Sequence, residues 1–136
     1  MDFSKSMSVA ASGMRAQSER MKIIAENIAN ANSTSPVKGG EPYRRKIATV
    51  TPTFDRELDA TLVTSGKPVP DKSDFRSQYD PGNPNADKQG YVKLPNVDSL
   101  VEIMDMREAQ RSYEADLSVM ESTKQMLAKT VDLLNK

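Results

Sequence analysis

All eight prolines of this 136-residue chain lie between Pro36 and Pro95, and five of its six glycines fall in the same stretch. Proline removes a backbone donor and clashes with the preceding helical turn. Long helices are therefore unhindered only in the two flanks, and the middle is where regular helix is least expected.

Both flanks carry a helical pattern. Met7, Met14, Met21 and Ile28 recur every seven residues, and Phe3, Ala10, Ile24 and Ala31 occupy the interleaved register with the polar Gln17 among them. This is an a/d seam of about four heptads. Asp2 or Ser4 is placed to cap its start, and the Asn27, Asn30, Asn32 cluster followed by Ser33 to Pro36 marks its end. In the second flank Met106, Tyr113, Met120, Leu127 and Leu134 are seven apart. Ile103, Leu117 and Val131 form the partner register, interrupted by Gln110 and Lys124. Asp98, after a Pro95-Asn96 turn, is the expected N-cap of a helix running to Lys136.

A narrow apolar stripe cannot be buried by one helix and needs a partner. The expected fold is mainly α. Residues 1–32 and 97–136 would form a discontinuous, coiled-coil-like domain of terminal helices, and residues 33–96 an extended, partly β middle segment. Phe3, Met7, Met14, Met21, Ile24 and Ile28 would pack against Ile103, Met106, Tyr113, Leu117, Met120, Leu127, Val131 and Leu134. The helices either pair only with each other as an antiparallel hairpin or also pack against neighbouring copies. Polar seam residues such as Gln17, Gln110 and Lys124 favour the second, because they cost stability but can fix register.

Within the middle, the alternation from Tyr43 to Phe54 predicts a strand, and Leu58, Leu62 and Val63 a second. Gly66 to Asp74 reads as a polar loop, Asp80 to Asn85 as a dense turn, and Tyr91 to Leu94 as a short extended segment ending at Pro95.

Composition narrows the function. Nineteen Lys and Arg balance nineteen Asp and Glu, and such neutrality argues against a general nucleic-acid binder. With no Cys, His or Trp, disulfides, thiolate or imidazole metal sites and His-based nucleophile schemes are excluded. The apolar share is 37 %, with three Phe and four Tyr, which is thin for a self-sufficient core. Ahead of the longest uncharged N-terminal stretch, Ser6 to Met14, a single Lys5 balanced by Asp2 stands where a cleaved signal would have its cationic n-region. No run approaches the ~18 apolar residues of a membrane span.

Several local patterns have a plain structural reading beside a chemical one. Asn83 to Asp87 places oxygen donors as a calcium loop opens, but Lys88 and Leu94 stand where that loop wants Gly and Glu. Ser35-Pro36-Val37-Lys38 matches the spacing of some serine acyl-enzymes, in a loop rather than at a helix start. Asn32-Ser33-Thr34 is a glycosylation sequon at a helix end. Arg44-Arg45-Lys46 allows three readings: a weak phosphate contact, a solvated strand edge protected by its charges, or pairing across a subunit contact with Glu102, Asp105 and Glu108. Asp105 and Glu108 read as a solvated helix face rather than an acid/base pair. No catalytic residue, cofactor or metal site is expected.

The chain resembles the axial proteins of the bacterial flagellum, and among them the proximal rod proteins. The general signature is Ala11 to Met14, Ala16-Gln17, and Ile24 to Asn32 followed by Thr34. More specific are Pro42-Tyr43-Arg44-Arg45-Lys46, Asp80-Pro81-Gly82-Asn83-Pro84-Asn85-Ala86-Asp87, Gly90-Tyr91-Val92, Pro95-Asn96-Val97 and Arg111 to Asp116. The motif residues singled out are Asn27, Asn30, Asn32, Tyr43, Arg44, Arg45, Asp80, Pro81, Gly82, Gly90, Tyr91, Pro95 and Asn96. The family often has His at Asn83 and Asn at Asp116. The resemblance implies a structural part of the basal-body rod, a hollow drive shaft crossing the periplasm. It further implies export by the flagellar type III apparatus without a cleaved signal, self-assembly with other rod proteins, and contact with surrounding rings, without membrane insertion or nucleic acid. The alternative is a stand-alone helical-hairpin adaptor or chaperone-like binding module.

Overall fold

The computed structural model describes residues 2–136. Helix α1 spans Phe3–Ala29. Asp2 is its cap, its carboxylate accepting from the Lys5 amide at 3.2 Å and satisfying one of the first-turn donors that a helix leaves open. At its other end the Asn30 side chain donates to the Glu26 carbonyl at 2.8 Å and Ser33 Oγ to the Asn30 carbonyl at 2.8 Å. Carbonyls released by the ending helix are thus taken up by the predicted Asn/Ser cluster. Helix α2 spans Ser99–Leu134, with Asp98 Oδ1 accepting from the Leu100 amide at 2.9 Å.

The middle segment forms three separate antiparallel pairs. Strand β1 (Lys46–Ile47) pairs with β4 (Val69–Pro70), β2 (Val50–Asp55) with β3 (Ala60–Ser65), and β5 (Arg76–Tyr79) with β6 (Tyr91–Leu94). The predicted strand from Tyr43 to Phe54 is thus divided into β1 and β2, which pair with different partners. The expected polar loop at Gly66 to Asp74 contains β4. Strand β5, polar throughout, has no hydrophobic alternation and escapes the sequence pattern.

Two compact units result, one of Met1–Met21, Ala48–Lys67 and Arg107–Lys136, the other of Lys22–Ile47 and Pro68–Met106. In the first, the helices run antiparallel: Arg20 reaches Glu108 at 3.5 Å, Gly13 faces Asp116, and Phe3 and Met7 share a hollow with Leu127. The seam is made by small residues. Ala10, Ala16 and Ala109 are buried, and a Cβ added at Gly13 would lie 2.5 Å from Asp116 Oδ2. Thr123 continues this stripe.

The expected α2 partner register therefore needs correcting. Ile103, Leu117 and Val131 stay 43, 36 and 47 % exposed, while the inward stripe lies one residue earlier, at Glu102, Ala109, Asp116 and Thr123. A helix with neighbouring stripes turns inward the one whose small side chains permit close approach, because packing density outweighs the transfer of a few large groups.

The β2–β3 hairpin would be marginal alone. It is held to α1 by Ser12, whose hydroxyl accepts from the Val63 amide at 3.2 Å. Thr49 accepting from the Gly66 amide at 3.0 Å sets the ladder phase, so Val63 and Pro52, opposite each other, both direct their backbones outward. One outer edge is taken by Ser12; the other carries a proline with no donor to offer, which blunts it against strand addition.

In the second unit Gly90 sits at φ 86°, and a Cβ there would lie 2.8 Å from Tyr79 Cε2. Gly90→Ala should destabilise this unit by about 1 to 3 kcal/mol, read as a lower midpoint in urea, whereas at Gly82 an added Cβ would meet only Asp80 Oδ1 at 3.7 Å, an ordinary contact distance, and Gly82→Ala should change the midpoint far less.

Candidate functional site

The motif residues scattered over the middle of the sequence converge in the second unit. Asn27, in the last turns of α1, is buried and uses all of its side-chain capacity. Its Oδ1 accepts from the Lys46 amide at 3.0 Å and the Tyr43 hydroxyl at 2.8 Å. Its Nδ2 donates to the Lys46 carbonyl at 2.8 Å and to Glu102 Oε2 at 3.3 Å. One side chain thus mimics a strand neighbour for β1 while holding a carboxylate on α2.

Glu102 has no exposed surface. A bare buried carboxylate would be prohibitive, and Arg45 answers it by donating from Nε to Glu102 Oε1. The same guanidinium reaches Asp71 Oδ2 at 3.2 Å and Asp105 Oδ2 at 3.6 Å. Asn96 closes the ring, accepting from the Arg45 amide at 2.8 Å and donating to the Asp71 carbonyl at 3.1 Å. Arg44 donates to the Asp71 and Ser73 carbonyls at 2.8 and 3.0 Å and lies 4.2 Å over the Phe75 ring. Arg76 ties Pro95 and Ala31 carbonyls at 2.9 and 2.6 Å.

The three readings of Arg44-Arg45-Lys46 are resolved by this geometry. Arg45 pairs with Glu102 and Asp105 inside the chain, not across a subunit contact. Arg44 is committed to backbone carbonyls and an aromatic face. Lys46 alone keeps the exposed character of a strand edge, bridging Glu26 at 3.0 Å. A phosphate would have to displace intramolecular partners at all three.

The turn motif is self-contained. Asp80 accepts from the Asn83 amide through its carbonyl at 3.1 Å, Asn83 Oδ1 from the Asn85 amide at 3.0 Å, and Asp87 Oδ1 from the Gln89 and Tyr91 amides at 2.8 and 2.9 Å. Of the candidate calcium-loop oxygens, Asn83 Oδ1 and Asp87 Oδ1 are spent on their own backbone. Pro81 and Gly90 flank Tyr79, which meets Tyr91 edge-on with centroids 5.3 Å apart. Gly82 lies in the turn itself, and Asn32 is exposed just beyond α1. Ser35 Oγ donates to the Val37 carbonyl and accepts from the Val37 amide, a local turn that leaves it no role with Lys38.

The packing candidates separate into two groups. Ile24 is buried, and Met14 shares a hollow with Tyr113 and Met120. Met21, Ile28 and Met106 are partly buried. Ile103, Leu117, Leu127, Val131 and Leu134 leave much of their surface open, joined by Leu100, Met104, Met126 and Leu133. From Lys124 to Lys136 every residue is exposed.

Comparison with known proteins follows the same outline. Residues 7–35 match the model described as Flagella basal body rod protein, and residues 88–133 that described as Flagellar basal body rod FlgEFG protein C-terminal. The flagellar basal-body rod protein FlgC of Agrobacterium fabrum is 48 % identical over 126 residues, 93 % of this chain and 91 % of that one. The chain belongs to the FlgC family of flagellar rod proteins. FlgC of Bacillus subtilis is 38 % identical, with 94 and 95 % of the two chains covered, and FlgC of Aquifex aeolicus 36 %, with 97 % of each. In this FlgC-family chain the two matched segments hold Asn27, Asn96 and Glu102, and Tyr43, Arg45 and Asp71 lie between them.

Two signals in the sequence were missed. Glu102, Ala109, Asp116 and Thr123 are seven apart, a small and polar heptad overlooked beside the larger apolar ones. Asp71, in an apparently featureless loop, carries no local pattern at all.

Breaking the Glu102–Arg45 pair should be severe. Glu102→Ala leaves a partly buried guanidinium short of a partner and should cost about 3 to 5 kcal/mol, whereas Lys46→Ala, removing an exposed pair, should barely move the midpoint; chemical denaturation distinguishes them.

The pH response follows from the shifted groups. The Ser73 amide and hydroxyl, then Arg45, hold Asp71 below the ordinary 3.8. Its contribution is complete above that value and lost as pH falls through the lower folded-state value. Burial holds Tyr43 above 10.0, and the hydrogen bond to Glu26 holds Lys46 above 10.5. Their contributions are complete below those values and lost as pH rises through the raised ones. Burial opposes the Arg45 charge, yet Glu102 and Asp71 outweigh it and raise its pKa. The denaturation midpoint should therefore be level from about pH 5 to 9 and fall on both sides, with a shallower acid limb in Asp71→Asn.

Proposed function

We propose that this chain is a structural subunit of the flagellar basal-body rod rather than an enzyme. The observation that carries this reading is similarity to proteins named flagellar basal-body rod protein FlgC over more than nine tenths of the chain. On this reading it resides in the flagellar basal body, in the periplasm-spanning part of the rod. It is exported by the flagellar type III apparatus without a cleaved signal and packs with its own copies, with other rod proteins and against the surrounding rings. No described helix is long and apolar enough to cross a membrane, in keeping with a part that is assembled rather than inserted.

The exposed register of α2 supports this use. Ile103, Leu117 and Val131 recur on one stripe, and Leu133 and Leu134 are 73 and 81 % exposed. Each such side chain gains about 1.5 to 3 kcal/mol when covered. In the proposed rod, residues 1–32 and 97–136 supply the terminal helices: the small-residue seam pairs α1 with α2, and the outward apolar stripe makes coiled-coil-like contacts with neighbouring helices. Torque would then be carried by many repeated contacts.

Leu117→Asp tests this directly. The position is about one-third exposed, so the isolated variant should still unfold cooperatively in urea, at a lower midpoint. Rod assembly and swimming should nevertheless fail when the variant replaces the native chain, because assembly would bury an unpaired charge. Normal motility with this change would count against the stripe as an assembly surface. Failure of the unaltered chain to restore motility in its own deletion strain would count against the rod reading as a whole.

A further inference from the structure

Two surfaces of opposite charge keep charged groups that have no ion pair among the described residues. The first is a cavity of about 490 Å³ between the turn at residues 35–40 and the segment at residues 85–93, a size typical of binding pockets. Val37 and Tyr91 form an apolar wall, both largely exposed, and Lys38, Lys88 and Lys93 form the rim. None of these lysines has an ion pair among the described residues. The one acid of the lining, Asp87, accepts from two backbone amides through Oδ1 and offsets only part of the three lysine charges. The cavity is built into the fold, since Asn85 Nδ2 donates to the Ser35 carbonyl at 2.9 Å and so fastens its two sides together.

The second surface is the β2–β3 turn. Phe54 is 58 % exposed, and beside it stand Asp55, Glu57 and Asp59 against Arg56 alone. Asp55 accepts from the Glu57 and Leu58 amides at 2.9 and 3.2 Å, which shapes the turn and leaves the Glu57 carboxylate free. Asp59 bridges Lys5 at 3.6 Å with its own side chain 85 % exposed.

We propose that the β2–β3 turn of one copy of this chain inserts into the Lys38, Lys88 and Lys93 cavity of a second copy. Phe54 lies against Val37 and Tyr91, and Glu57 sits among the lysines. The whole chain is neutral, so long-range attraction cannot orient two copies; the local charges do, and complementarity of this kind selects the partner and its register. Turn and cavity are different surfaces, so where two copies do not exchange them reciprocally about a two-fold axis the contact is heterologous. A pair joined once keeps one turn and one cavity free, from which the contact propagates. It adds to the rod reading a defined contact outside the helices, and it stands or falls separately from helix packing.

The absence of cysteine permits a clean test on the full-length chain. One copy carries Arg56→Cys and the other Val37→Cys, both at exposed positions, and the two are mixed under mild oxidation over a range of concentrations. The mixed disulfide should form about tenfold faster than in a control pair with Lys72→Cys in place of Val37→Cys, and the preference should shrink at ~0.5 M salt, where the Debye length is only a few ångströms. Adding Lys88→Glu to the Val37→Cys copy should remove the preference, and Glu57→Lys on the other copy should restore it. A rate equal to the control, or one indifferent to charge reversal, overturns the contact. If that happens while the native chain still supports swimming, this contact fails and the rod reading stands; failure of complementation overturns the rod reading whatever the disulfide shows.

Discussion

The buried carboxylate of Glu102 is the constraint around which the second unit is organised. Removing a charge from water costs several kcal/mol even after relaxation, and a partner must be supplied with correct geometry. Arg45 supplies it from the middle segment, and Asn27 from the end of α1. Those requirements bring the start of α2, the end of α1 and strand β1 to one place. Asp71, Asp105 and Asn96 then complete the coordination of the guanidinium and its backbone. A pair of this kind adds little net stability compared with an apolar substitute. Its contribution is directional, because hydrogen bonds to a guanidinium and to an amide tolerate few orientations, whereas apolar contacts tolerate many.

In the first unit the organising contact is close approach. Gly13, Ala10, Ala16 and Ala109 let α1 and α2 come together, and Asp116 sits where any side chain at residue 13 would collide. Small residues gain little from leaving water, so the large apolar groups displaced to the outside become the notable feature. A chain with 37 % apolar residues that leaves Leu100, Ile103, Met104, Val131 and Leu134 uncovered has placed much of its hydrophobic material where only another molecule can bury it. That arrangement suits a subunit of a larger body. Gln17 Oε1 is buried and accepts no hydrogen bond from the described residues, an unfavourable state that the packing of this seam has to offset.

The three strand pairs show how a middle segment with few large side chains remains ordered. None is a sheet in its own right. Two are fastened by side chains from elsewhere, β1 by Asn27 and β3 by Ser12, while in the β5–β6 pair Arg76 reaches the Ala31 carbonyl and the Tyr79 ring meets Tyr91 and lies against Gly90. Side-chain hydrogen bonds to open strand backbone replace the missing additional strands, and Pro52 protects an edge that no such group covers.

The sequence by itself determined the approximate extents of the two helices, the cap of one at Asp98 and the choice of Asp2 or Ser4 at the other, the confinement of irregular structure between Pro36 and Pro95, and most of the strand and turn positions. These are local properties, since proline geometry, capping and periodicity act within a few residues. The motif residues were legible too, but not their role: nothing near Arg45 shows that its partners are Asp71, Asp105 and a fully buried Glu102. Only the tertiary structure decided which of two adjacent α2 stripes faces inward, because a helix of 3.6 residues per turn presents both almost equally and the choice belongs to the opposing surface. For the same reason three neighbouring basic residues, alike in sequence, became a buried ion pair, a brace on carbonyls and an exposed bridge.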